Sequence, residues 1–375
     1  VATFLAVAPK TFVGVLEEEL INNKFKVIQR SSLGVYFSGN WQECLRAHLE
    51  LKVPTRILLP IIEFNAYKEE ELYNQILKHD FTKYITLKQN FVVESSAIEC
   101  SFKDSMYLSL KVKDAVADQF RDKFGARPNV SKTDFDLKIV VKGLKNNYFV
   151  ALDTTGGFIS ERGYRIDQGP APLKENLAAS LINLTGWTPD LPFVDPMCGS
   201  GTFPIEAALM ASRKSIMLKK QFAFQTWKTM LAMDWMDTYK SVAAKERQTG
   251  FAKIYGFDHN PRMVTVSNEN SSEAGVNEFI SFKQQSVADF SMEEIPSKGV
   301  LIVNPPYGER LGDVERLKKT YKELGSMFKN NFKGWDCWLL SGHPDLTKSL
   351  SLKSVKQVKV FNGPIECMFL HYPMY

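Results

Sequence analysis

Apolar residues follow two different spacings in the first 150 positions of the chain. Short runs rich in β-branched and aromatic residues read as strands: FLAVA near the start, Val35-Tyr36-Phe37, FVVESSA from Phe91, Asp136 to Val141, and Tyr148 to Leu152. Between them Phe12 to Ile21, Trp41 to Leu49, Glu69 to Leu77 and Met106 to Phe124 repeat their apolar residues at helical spacing. The mixture predicts an α+β region, built as two small subdomains joined near Pro60 to Tyr67. From Pro192 the pattern becomes regular. Phe193-Val194-Asp195 precedes a helix over Thr202 to Arg213, and Ile254 to Asp258 precedes one over Arg262 to Glu273. Ile280 to Gln285, Val300 to Asn304, a helix over Val314 to Phe328 and a strand over Trp335 to Leu340 follow. Two more strands fit Val355 to Tyr372 around Asn362-Gly363-Pro364. Such βα alternation predicts a mainly parallel sheet with helices on both faces. The stretch 154–169, with Gly156, Gly157, Gly163 and Gly169, bridges the two regimes.

Composition changes this picture little. At 375 residues two or three domains are expected, and 44% hydrophobic with 24% charged residues supplies ordinary globular cores. A net charge of +5 permits a polyanionic partner without requiring one. Cys44, Cys100, Cys198, Cys337 and Cys367 form no CxxC pair and have no histidine at ligand spacing. That argues against a disulfide framework or a zinc site, predicts no metal, and favours a reducing, cytoplasmic setting. Val1 to Lys10 lacks the basic start and cleavage site of a signal peptide, and no run approaches a membrane span.

Candidate chemistry begins at FVDPMCGSGTFPIEAALMASR, Phe193 to Arg213. A strand ends in Asp195, and the loop Pro196, Met197, Cys198, Gly199, Ser200, Gly201 leads into a helix at Thr202. The glycines let backbone approach a ligand, and free N–H groups at a helix start suit an anionic group such as a carboxylate. A tight turn with no ligand is the alternative. The spacing is not GxGxxG, which disfavours a dinucleotide. The second strand ends at Asp258, followed by His259 and Asn260; an acid there accepts from ribose hydroxyls. It lies much farther along than the usual ~20 residues, and an insertion over roughly Ser215 to Gly250 accounts for the excess. After the third strand, Ala288-Asp289 brings another carboxylate to the same sheet edge, in reach of an adenine amino group. Each acid alone could be a helix cap; three at successive strand ends favour a nucleoside.

The fourth strand ends in Asn304-Pro305-Pro306-Tyr307. An exocyclic amino group on a base is a poor nucleophile because its lone pair is delocalised into the ring. Two acceptors aimed at its N–H bonds localise that pair toward a methyl donor, and the Asn304 side-chain carbonyl with the Pro305 backbone carbonyl can supply them. The prolines stiffen the loop and remove competing donors. Tyr307 offers a face for a flipped-out base. A Pro-rich turn closing a strand is the alternative.

DPMCGSG, GFDHNP and NPPYGERLG together resemble the RlmL-type 23S rRNA (guanine-N2)-methyltransferases, whose relatives have been labelled N6-adenine-specific DNA methylases. The likeness extends to VKDAVADQF, RPNV and RGYR…APLKENLAA. It implies an N-terminal ferredoxin-like subdomain (1–65), a THUMP RNA-binding domain (66–155) and a Rossmann-like S-adenosylmethionine-dependent methyltransferase domain (165–375). It also implies that Asp195, Gly199 and Gly201 hold the methionine part of the cofactor, Asp258 the ribose, Asp289 the adenine, and Asn304 to Tyr307 the base. Pro172 and Leu173, in APLKENL, match the segment that closes over the methionine end. In some bacteria such enzymes are fused to a second methyltransferase making 7-methylguanine; this sequence stops at Tyr375 without one, so one activity is expected.

The NPPY loop alone leaves DNA adenine, RNA guanine and protein glutamine open. Arg121 to Lys145 holds seven basic residues against three acids, and this excess suits phosphate contact as well as it suits a solvated face. Arg127, Lys132, Lys138 and Lys142, with Arg162 and Arg165 of RGYR, are the candidate RNA contacts, and large-subunit rRNA, free or in a precursor, is the expected partner. In the insertion, Lys219-Lys220-Gln221-Phe222-Ala223-Phe224 and Trp227 suit either base stacking beside the site or, by preference, core packing. An adenine methyltransferase acting on DNA or RNA, a tRNA guanine-N2 methyltransferase, and an RNA-binding assembly factor on a silent methyltransferase fold are the rival readings.

Overall fold

The computed structural model describes residues 1–166, 173–292, 295–307 and 313–375. Its contacts divide the chain into two units. One holds 1–9, 16–159 and 219–240; the other holds 10–15, 160–218 and 241–375.

The first unit carries β1 (Ala2–Val7), most of α1 (Val13–Asn22), β2 (Lys26–Ser31), β3 (Gly34–Gly39), α2 (Trp41–Glu50) and β4 (Arg56–Asn65). It continues through α3 (Glu69–Leu77), β5 (Asn90–Ile98), α4 (Ser105–Phe124), β6 (Asn129–Val130), β7 (Leu137–Leu144) and β8 (Asn147–Asp153). Its eight strands form a single sheet in the order β2-β3-β1-β4-β8-β7-β5-β6. The expected junction near Pro60 to Tyr67 falls on β4, the strand that links the two parts of this sheet. Ten-residue β4 runs through Pro60, pairing with β1 near its start and with β8 along the rest. Proline has no N–H for the ladder, so it breaks a central strand unless the pairing is irregular there. The β4–β8 register shifts between Pro60 and Ile62, a bulge that accommodates it.

The insertion is divided as well. Residues 219–240 belong to the first unit, where Phe222, Phe224 and Trp227 are fully buried. Phe222 and Phe224 lie against the His48 ring at 4.4 and 5.5 Å, Phe224 stacks on Trp41, and the Trp227 indole N–H donates to the Asp136 carbonyl at 3.2 Å. Core packing, not base stacking, is their role.

The second unit contains α5 (Glu175–Leu184), β9 (Phe193–Asp195), α6 (Thr202–Ala211), part of α7 (Met236–Ala243), β10 (Ile254–Asp258), α8 (Pro261–Glu273) and β11 (Ile280–Gln284). Then come β12 (Val300–Val303), α9 (Asp313–Asn331), β13 (Asp336–Ser341), α10 (Pro344–Lys348), β14 (Lys356–Asn362) and β15 (Ile365–Pro373). The sheet order is β11-β10-β9-β12-β13-β15-β14. In sheet order the strands from β11 to β13 run parallel, and β15 runs antiparallel to both of its neighbours, β13 and β14. This is the Rossmann-like α/β arrangement. From β9 the chain winds outward through β10 and β11, then crosses to the other side of β9 for β12. The β9–β12 boundary is thus a topological switch point, where a crevice opens at the strand carboxyl ends. One apolar face of the sheet is sealed by α9, with Tyr321, Leu324 and Phe328 fully buried against Leu301, Val303 and Leu339.

Candidate active site

The second unit brings three of the expected chemical elements to adjoining strand ends. Asp195 closes β9, Asp258 closes β10, and Asn304 follows β12. Because β10, β9 and β12 are neighbours in the sheet, the linear distance across the insertion disappears.

The loop after β9 is shaped by its own carboxylates. Asp195 is 2% exposed and its Oδ1 accepts the Met197 N–H at 3.0 Å. Burial pushes its carboxyl well above the usual carboxylate range; the Met197 N–H opposes this and the charge of Asp258 adds to it. Asp258 Oδ2 accepts the Gly199 N–H at 3.0 Å, while Oδ1 accepts the Asn260 N–H at 2.9 Å. The second strand's acid therefore also fastens the first strand's loop. Gly199 and Gly201 have φ of +52° and +85°. At Gly199 an added Cβ would meet open space, whereas at Gly201 it would come within 2.9 Å of the Ser267 Cβ. Gly201 caps α6, whose first residue Thr202 is buried. Pro196, Cys198 and Ser200 are buried as well. Burial first, then Asp195 and Asp258, raise the Cys198 thiol, so it is no nucleophile here.

His259 stands 73% exposed with Nδ1 3.4 Å from Asp258 Oδ1, and the Asn260 side chain caps α8 through the Arg262 N–H. Ala288 and Asp289 are exposed beyond β11. Leu173 is buried, and its carbonyl accepts from Arg165 at 2.8 Å. Pro172 and the block Gly308 to Gly312 lie outside the described residues.

In the loop after β12, Pro305 is buried and Asn304 and Tyr307 are half-buried. The Tyr307 hydroxyl donates to Asn304 Oδ1, and the Tyr321 hydroxyl donates to the Pro306 carbonyl at 3.5 Å. The Tyr307 ring lies on Gly342, where an added Cβ would come 3.1 Å from its Cδ2. Burial, followed by the neighbouring Cys367, raises the Tyr307 hydroxyl far out of titration range, so it acts as a donor. Nothing in the linear motif foretells this hydroxyl's partner.

The candidate RNA contacts divide. Arg127 and Lys132 are exposed. Lys142 is half-buried, and Lys138 is paired with Glu94 at 3.2 Å. Both share their β7 face with buried Val140, so this strand presents no open basic stripe. Arg162 is corrected outright: its side chain is 3% exposed and ion-pairs at 3.1 Å with the fully buried Glu206, which also accepts from the Tyr164 hydroxyl at 3.1 Å. Arg165 pairs with Glu175 at 3.2 Å and donates to Thr202 Oγ1 at 3.3 Å. Arg162 is thus engaged with α6, and Arg165 with α5 and α6. Sequence reasoning also missed Glu206, a buried acid on the otherwise apolar α6, and Asn270, buried beside Ser267 and Ser271 on α8.

Comparison with known proteins accords with this geometry. Residues 162–371 match the family model described as RMKL-like, methyltransferase domain; 66–153 match the THUMP domain, and 3–58 the RlmL ferredoxin-like domain. Ribosomal RNA large subunit methyltransferase K/L of Shewanella sp. (strain W3-18-1) is 36% identical over 377 residues, covering 99% of this chain and 53% of that protein. The chain thus spans about half the length of the curated relatives it matches. A structure described as a possible methylase from Clostridium difficile 630 aligns over 100% of this chain and 98% of its own, at 29% identity and TM-score 0.89. SMU.472, described as a methyltransferase and solved in complex with SAH, aligns over 100% and 98% at 30% identity and TM-score 0.87.

Proposed function

Since this chain belongs to the RMKL-like methyltransferase family, we propose that it transfers a methyl group from S-adenosylmethionine to the exocyclic N2 amino group of a guanine in 23S ribosomal RNA. The observation that carries this reading is that the strands ending in Asp195 and Asp258 and the strand that precedes Asn304 are neighbours at the switch point of the second unit. The K/L relatives are named for large-subunit rRNA, and the THUMP match in the first unit favours an RNA substrate.

The residues present suit the cofactor. Open space at Gly199 and the Asp195 carboxyl fit the methionine end; Asp258 fits the ribose and Asp289 the adenine. When bound, S-adenosylmethionine supplies an electrophilic methyl group. What the chain adds is orientation. The Asn304 carbonyl holds one lone pair for Tyr307 and keeps a second for an amine N–H, and the Pro305 carbonyl accepts the other. These acceptors strengthen as the nitrogen gains positive charge, so their effect is greatest at the transition state. No strong base is required, because methylation itself acidifies the departing proton. Arg127 and Lys132 are the exposed cations on which phosphate contact rests.

A substrate panel tests the reading. Incubated with methyl-labelled S-adenosylmethionine, the chain is expected to label a 23S rRNA transcript and to leave tRNA and DNA unlabelled. Label in DNA would favour the N6-adenine reading. Tight S-adenosylmethionine binding without label in any nucleic acid would favour the assembly-factor reading.

A further inference from the structure

Two glycines of positive φ flank Ser200, and the peptide between Ser200 and Gly201 is held by hydrogen bonds on both its sides. Its N–H side is held by one bond, Gly201 N–H to the Cys198 carbonyl at 2.8 Å. Its carbonyl side is held by a residue that no motif marks. Asn270, on α8 and 1% exposed, donates from Nδ2 to the Ser200 carbonyl at 3.0 Å. The same amide accepts the Ile166 N–H on Oδ1 at 2.9 Å. One turn earlier on α8, Ser267 packs so close to Gly201 that a Cβ there would clash. Next to Ile166, Arg165 donates to Thr202 Oγ1 at the other end of the loop.

We propose that Asn270 is a positioning residue for cofactor binding: through one buried amide it fixes the Ser200–Gly201 peptide plane and couples that plane to the segment 162–166. The proposal rests on the reading of this loop as the S-adenosylmethionine site. Fixing the Ser200 carbonyl fixes the whole peptide plane, so the Gly201 N–H stays on the Cys198 carbonyl and the loop keeps its shape where a ligand would meet the start of α6. A side-chain amide suits both jobs, with a donor for the carbonyl and an acceptor for the N–H. A carboxylate can do only the second.

Asn270→Asp is the test, because it keeps shape and the Ile166 contact while setting an oxygen against the Ser200 carbonyl. Calorimetry should show S-adenosylmethionine affinity reduced about ten- to hundredfold, the scale of one disrupted buried hydrogen bond. KM for the cofactor should rise in step, while kcat at saturating cofactor stays within about twofold. A merely structural role would lower the melting temperature without this KM-against-kcat split. Asp258→Ala run in parallel separates the two claims. If it loses affinity and folded Asn270→Asp does not, the Asn270 proposal falls; if neither changes, the cofactor-site reading falls with it. Should Asn270→Asp fail to fold, hydrogen–deuterium exchange on the unmodified chain decides. Adding S-adenosylmethionine should slow exchange in peptides covering 197–202 and 162–166 together, and protection confined to 197–202 would overturn the coupling.

Discussion

Replacing Asn304 with alanine is expected to lower turnover by ~10²–10³ while S-adenosylmethionine binding barely changes, as loss of one oriented polar group at a reacting centre does elsewhere. The residue follows β12, one strand across from Asp195, and its carbonyl is oriented by the Tyr307 hydroxyl. The remaining lone pair has its strongest partner only when the amine nitrogen becomes positive, so the loss should fall on kcat. Asn304→Asp separates orientation from base catalysis. Aspartate keeps an acceptor for Tyr307 and for the amine, so partial activity should survive. If the position works as a general base, the aspartate form should exceed the natural chain and show a new acidic limb in its pH–rate profile. That gain would overturn the lone-pair mechanism even with the family assignment intact.

Asp258→Ala is expected to weaken S-adenosylmethionine binding by tens to hundreds of fold, from loss of about 2–3 kcal/mol of charge-assisted hydrogen bonding. Two contributions merge in that figure. The carboxylate would meet the ribose hydroxyls, and it also anchors the Gly199 and Asn260 N–H groups at 3.0 and 2.9 Å. Asp258→Asn keeps one carbonyl acceptor but turns an amide N–H toward a backbone N–H, so it should fall between alanine and the natural residue. Calorimetry with a parallel melting curve checks both. Unchanged affinity in a folded alanine variant removes Asp258 from the site.

The parts of the molecule that the sequence foretold are those governed by local periodicity. The parallel strands and their helices were legible because each apolar run is short and is followed by a helical repeat. That three candidate residues would meet at their carboxyl ends was legible because Asp195, Asp258 and Asn304 close three such runs. What escaped depended on contacts between distant segments. The passage of β4 through Pro60 rests on a bulge opposite β8, a pairing between segments far apart in the chain. Phe222 and Phe224 read as part of the second half, and only their burial against Trp41 and His48 assigns them to the first unit. Arg162 reads as a surface cation because a fully buried Glu206, far along the chain, is invisible in a linear pattern. Asn270 is one polar residue among many on a helix with a largely exposed outer face, and nothing in its neighbours predicts a bond to Ser200.

The central claim is the position methylated. It is tested most directly by digesting 23S rRNA from cells with and without this protein to nucleosides and fragments, and mapping modified guanines by mass. The account predicts one N2-methylguanosine that disappears with the protein and is restored by the natural chain but not by Asn304→Ala. An unchanged 23S pattern, with a methyl group lost instead from an adenine of DNA or from tRNA, would contradict it.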